Sequence, residues 1–218
     1  MAVAIWSLSM TAMEYHLRRI KMKKIKIVAL FGKSASGKDT IQKWIVSNFP
    51  KVNSIISCTT RPPRDGEQNG VAYHFLTNEQ FTEKVLSGDM LEATEFRGWF
   101  YGTALSELDP DKINVGVFNP AGVECLLTDS RLEVVPVWVY APKKTRLLRS
   151  LNREEKPDCD EICRRYFTDE KDFADIDFDY LGWINETEDQ QYYNYRCDQW
   201  LQILEEFCEP GQNPRNLL

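Results

Sequence analysis

The chain has 218 residues, 43% of them hydrophobic and 28% charged, with a formal net charge of −6. That length suits one α/β domain carrying small insertions, and that composition excludes wholesale disorder and collagen-like repeats. The acidic balance argues against a general nucleic-acid or anionic-membrane binder, and the six cysteines (Cys58, Cys125, Cys159, Cys163, Cys197 and Cys208) form no CxxC pair.

With His16 and His74 as the only histidines, reduced thiols in a cytoplasmic protein are expected, rather than a zinc site or disulfide scaffold. The opening residues, MAVAIWSLSMTAMEYHLRRIKMKK, put their charge after the apolar residues, the reverse of a secretory signal. No stretch there reaches the roughly twenty apolar residues that a membrane span needs. Residues 1–21 read as an extension: a short tail, or the product of a mis-called start ahead of Met22.

From Ile25 to Phe31 the run IKIVALF is mostly apolar and ends at a glycine, the pattern of a buried parallel strand. Ile41, Trp44, Ile45 and Phe49 recur at helical spacing before Pro50. Ile55-Ile56 reads as a short strand ahead of a stretch rich in proline, glycine and charge, 61–70. Helix is expected over 79–87, with core strands over 115–118 and 132–140. A charged helical stretch from 143 to 173 is broken near Lys156-Pro157-Asp158, and a last strand (181–184) and amphipathic helix (192–207) follow. Strands alternating with helices predict a parallel α/β sheet.

Gly32-Lys33-Ser34-Ala35-Ser36-Gly37-Lys38 lies between the first strand and the first helix, the strand–GxxxxGK–helix context of a phosphate-binding loop. Small residues let successive backbone N–H groups turn toward phosphate oxygens, and the helix N-terminus adds partial positive charge. Lys38 is placed to reach the β- and γ-phosphates. The next position normally supplies a Ser or Thr hydroxyl to Mg²⁺; here it is Asp39, followed by Thr40. Asp39 is read either as a metal-holding carboxylate or as a helix N-cap.

The segment Ser57 to Phe75 sets Arg61 and Arg64 in a proline-rich turn near Tyr73. Guanidinium forks suit a phosphate dianion, and beside a phosphate loop this turn becomes a candidate second phosphate site. Its pattern S-x-T-T-R-x-P-R-x-G-E-x-N-G-x-x-Y-x-F closely resembles the GMP-binding signature of the guanylate kinase family. The resemblance continues through Leu91-Glu92-Ala93-Thr94-Glu95-Phe96 and Phe100-Tyr101-Gly102-Thr103 and covers roughly residues 24–207. It implies that Arg61, Arg64, Tyr73 and Tyr101 hold the GMP phosphate and that Ser57, Glu92 and Thr103 contact guanine. The last group makes chemical sense: a carboxylate accepts the N1–H and N2–H₂ donors of guanine, whereas adenine offers an acceptor at N1.

Arg146, Arg149, Arg153, Arg164 and Arg165 fall where the family places its lid over ATP. The resemblance makes Lys38, Arg149, Arg153 and Arg165 (or Arg164) the charge-neutralising groups, Asn185 an adenine contact, and residues 32–40 the rest of the ATP site. Arg149 and Arg153 are one helical turn apart and are expected to share a face. The pattern fails at one place. The family's Asp-hydrophobic-Asp triplet is matched to Gly116-Val117-Phe118, so both acids are missing.

The expected fold is a P-loop NTPase three-layer α/β core (22–57, 104–142 and 176–210). It carries a GMP-binding lobe (58–103), a helical lid (143–175) and a C-terminal tail (211–218). The expected activity is ATP- and Mg²⁺-dependent phosphorylation of GMP or dGMP in the cytoplasm, on small-molecule nucleotides and without nucleic acid or membrane. The alternatives are a non-catalytic guanylate-kinase-like binding module and a kinase for another nucleoside monophosphate.

Overall fold

The computed structural model describes residues 24–64, 66–96, 98–153, 155–185, 200–205 and 207. Its centre is a five-stranded, wholly parallel sheet of β1 (Ile25–Phe31), β2 (Val52–Ser54), β7 (Ile113–Val117), β8 (Leu132–Tyr140) and β9 (Leu181–Ile184), in the order β2-β7-β1-β8-β9. β1 is buried on both faces, as a central parallel strand must be. Val28 and Leu30 join one core with Ile41 and Ile45 from α1 (Lys38–Asn48), with Phe49 just after it, and with Trp200 and Leu204 from the helical residues 200–205. Ile27, Ala29 and Phe31 join the other, with Val123 and Leu126 from α3 (Pro120–Thr128). Helices on both faces of a parallel sheet make the three-layer P-loop NTPase architecture that the alternation of elements predicts.

Between β2 and β7 the chain builds a second sheet in the order β4-β3-β6-β5. It comprises β3 (Cys58–Thr59), β4 (His74–Phe75), β5 (Met90–Phe96) and β6 (Trp99–Ala104), with α2 (Asn78–Leu86) against it. β5 and β6 are antiparallel, pairing Glu92 with Thr103, Thr94 with Tyr101 and Phe96 with Trp99. Because side chains alternate, Glu92, Thr94 and Phe96 share one face with Tyr101 and Trp99, and that face lines the cleft. Two helices, α4 (Lys143–Leu151) and α5 (Cys159–Asp172), close the other side.

Three local expectations are corrected. The strand expected at Ile55-Ile56 lies at Val52–Ser54, although Ile55 still donates its N–H to Val115 O at 2.8 Å. α4 ends at Leu151, so Arg153 lies beyond the helix and does not share a helical face with Arg149. Gly116 and Phe118, matched in sequence to the missing acids, both belong to the core: Phe118 packs with Ile27, Ala29 and Phe31, and a Cβ on Gly116 would press on the Phe118 ring. Val117 and Asn119 are only partly buried and, together with Phe118, line the cleft. The start of the last helix, Glu186 and residues 1–21 lie outside the described residues.

Candidate active site

The phosphate loop joins β1 to α1 across two glycines that no other residue could replace. Gly32 has φ +152° and Gly37 φ +92°; a Cβ at the first would collide with Val139 O, and one at the second with the Asn185 amide. Ala35 also takes a left-handed turn, φ 59°. The loop is closed on itself: Lys38 Nζ donates to Gly32 O at 2.7 Å and to Lys33 O at 3.1 Å. Burial lowers the Lys38 ammonium pKa; Asp39 and Asp169 oppose that shift, and Arg153 and Arg146 reinforce it. Ser36 Oγ is buried with no hydrogen-bond partner, an orphan of the sort a bound phosphate oxygen would satisfy.

Asn185, expected beside adenine, lies against the phosphate loop. It is 7% exposed and donates Nδ2–H to Ser36 O at 2.8 Å. Arg149 reinforces that clasp, donating to Ser36 O at 3.5 Å and Asn185 O at 3.3 Å. Asp39 is exposed, lies in the first turn of α1 and lines the cleft. The N-cap is Gly37, so Asp39 is not the cap. Thr40 is exposed on the same turn.

At the far end of the same 440 Å³ cleft stand Ser57, Arg61, Arg64, Tyr73, Glu92 and Tyr101. Arg61 is 9% exposed, its guanidinium over the rings of Tyr73 and Phe75 at 5.4 and 5.7 Å. It forks onto Glu67, with Nη2 at 3.0 and 2.9 Å from the two carboxylate oxygens. The same carboxylate accepts the Arg64 N–H at 2.8 Å. Burial raises the Glu67 pKa, but the Arg64 N–H and the Arg61 guanidinium outweigh it and hold Glu67 below the usual carboxylate range. Glu67 thus sets both arginines, a role the sequence reading did not assign although Glu67 stands inside the quoted motif.

Burial, with Arg165 of the lid and Arg61 adding to it, lowers the Arg64 guanidinium pKa. The lid therefore brings positive charge toward the acceptor arginines, and the three cations surround a place suited to an anion. Arg164 and Arg165 both rest on Glu161, at 2.6 Å each. Burial would raise Glu161, but the two guanidiniums hold it down at about 2. Arg153, Arg164 and Arg165 line the cleft; Arg149 is committed to the loop and Asn185.

Deepest lie Glu92, 8% exposed, and Thr103, fully buried. Burial pushes Glu92 up to about 7 against the opposing pull of Thr103. Burial likewise pushes the Tyr73 hydroxyl up to about 12. Thr103 supports the ionised form of Glu92 through both its side chain and its backbone. A buried carboxyl beside a buried hydroxyl is a costly arrangement for the protein alone and a useful one for a ligand with paired donors and an acceptor.

A phosphate loop, an inserted lobe carrying a second set of arginines and a helical pair closing over both define a P-loop nucleoside monophosphate kinase. The sequence matches the model of the family described as guanylate kinase over residues 24–193. It is 31% identical to a guanylate kinase of Nostoc sp. over 144 residues, 64% of this chain and 72% of that one. It is 30% identical to a guanylate kinase of Bifidobacterium longum over 191 residues, 84% of this chain and 95% of that one. The fold matches the crystal structure of guanylate kinase from Anaplasma phagocytophilum with a TM-score of 0.61 at 21% identity, covering 90% of this chain and 95% of that one. The chain belongs to the guanylate kinase family.

Proposed function

We propose that the protein transfers the γ-phosphoryl group of ATP to the phosphate of GMP or dGMP. The observation that carries this reading is one cleft with a phosphate loop at one end and, at the other, Arg61 and Arg64 with buried Glu92, which is paired across the sheet with Thr103. Arg61, Arg64, Tyr73 and Tyr101 hold the acceptor phosphate. Ser57, Glu92 and Thr103 read the base, with ionised Glu92 accepting the N1–H and N2–H₂ donors of guanine and Thr103 meeting its O6. The acceptor phosphate is already an anionic nucleophile, so no general base is required. Catalysis is positioning plus neutralisation of the charge on the transferring group by Lys38, Arg153 and Arg165.

Among the described residues no group of three or more His, Cys, Asp or Glu could hold a metal. Mg²⁺ does not need one: a single carboxylate with phosphate oxygens and waters suffices. Asp39, exposed on the cleft at the end of the phosphate loop, fits that role directly or through water. Mg²⁺ there supplies charge neutralisation on the β- and γ-phosphates.

The test is a panel of nucleoside and deoxynucleoside monophosphates with ATP and Mg²⁺, following ADP and diphosphate together. Equal release of ADP and GDP, with GMP or dGMP preferred, is expected. Preference for another monophosphate would move the reading to a different acceptor, and binding without turnover would make the protein a recognition module.

A further inference from the structure

Asp169 of α5 takes no part in the chemistry just described, yet it is 3% exposed and sits at the junction of the phosphate loop with both lid helices. Its Oδ2 accepts the Ser34 backbone N–H at 2.7 Å, and its Oδ1 accepts the Ser34 hydroxyl at 3.1 Å. Arg146 of α4, 4% exposed, pairs with the same carboxylate at 3.6 Å. Next along α5, Glu170 binds Lys33 of the loop at 2.9 Å, Lys143 at 3.4 Å and Arg146 at 3.5 Å. Two adjacent carboxylates thus fasten two adjacent loop residues to the base of the lid.

We propose that Asp169 is a positioning residue for phosphoryl transfer: it anchors the lid to the phosphate loop through Ser34 and so fixes where the lid arginines stand relative to the donor phosphates. A buried ion pair is a poor way to gain stability, because its desolvation cost offsets its attraction and apolar residues of similar size often serve as well. What apolar residues cannot supply is a directional bond to a loop N–H. Arg146 holds the carboxylate aimed; Asp169 holds the loop; α5 carries Arg164 and Arg165 one to two turns before it. Lid and loop are consequently one mechanical unit at this corner. This proposal rests on the transfer reaction proposed above, because displaced arginines matter only where phosphoryl charge must be neutralised.

The test compares Asp169→Asn with a double variant, Arg146→Met/Asp169→Leu, which keeps the corner filled but removes the anchor. For both, kcat with ATP and GMP is expected to fall at least about tenfold while KM for GMP stays within about twofold, because misplacement costs rate and not acceptor binding. Amide exchange at Ser34, read by NMR, is expected to be slow in the wild type and fast in both variants. A variant that folds and keeps kcat within about twofold of wild type overturns the proposal. So does a wild-type Ser34 amide that exchanges as freely as an unstructured peptide, whatever the variants do. A wild-type protein that turns over no monophosphate counts against the proposed reaction, and the exchange experiment then decides the anchor by itself.

Discussion

The two ends of the cleft are prepared in opposite ways. At the donor end the protein bonds most of its own polar groups, with the buried Ser36 hydroxyl left over: Lys38 bonds to Gly32 O and Lys33 O, Asn185 to Ser36 O, and Ser34 to Asp169. At the acceptor end Glu67 holds the arginines in place, but Glu92 is buried at about 7 beside the fully buried Thr103. The donor end exchanges internal bonds for phosphate contacts when it binds. The acceptor end has paid its desolvation in advance, and its ligand collects the return as selectivity, since an unmade buried hydrogen bond costs more than a made one yields.

The contrast breaks most sharply at Lys38. Lys38→Met removes the loop ammonium, and kcat is expected to fall by about 10²–10³-fold in steady-state assays with little change in KM for GMP. At the acceptor end, Arg64→Ala should weaken GMP binding by roughly 1.5–3 kcal/mol, measured calorimetrically, and leave ATP binding nearly unchanged. Equal losses at both ends would erase the distinction.

Glu92 sharpens it through pH. Its folded pKa of about 7 lies above the usual carboxylate value, so the folded chain holds a proton that the unfolded chain gives up. That contribution to stability is fully present below the usual carboxylate pKa and is lost as pH rises through about 7. GMP recognition runs the other way, because the base needs the ionised form. GMP affinity should drop by about tenfold from pH 8 to pH 6, and a Glu92→Gln protein should lose that slope. The smallest effect belongs to Asp39: Asp39→Ser should raise the Mg²⁺ concentration needed for half-maximal rate by a factor of about two to five. Restoration by a new acid is expected to be better from Val117→Asp than from Phe118→Asp, because both line the cleft but Phe118 is buried and Val117 only partly so.

That last pair shows where the sequence stopped being legible. The phosphate loop and the arginine turn were readable because each motif carries its own backbone chemistry: glycines at left-handed positions, a glutamate and an asparagine that build the turn around the arginines. The strand before Asn119 was not. Strand side chains alternate, but the sequence alone does not say that Gly116 is walled in by the Phe118 ring while Val117, Phe118 and Asn119 all reach the cleft. The bonds of Asn185 and Asp169 to the phosphate loop were illegible for another reason. Their partners, Ser36 and Ser34, lie 149 and 135 residues away, beyond any local pattern.

The central claim is that buried Glu92 makes the acceptor end a guanine reader. The most direct measurement is the ratio of kcat/KM for GMP to that for AMP, in the wild type and in Glu92→Gln. A wild-type ratio that strongly favours GMP and falls at least about tenfold in the variant is predicted, because Gln sets an N–H₂ donor against the donors of guanine. A ratio that is the same in both proteins would contradict the claim and leave Glu92 a structural residue.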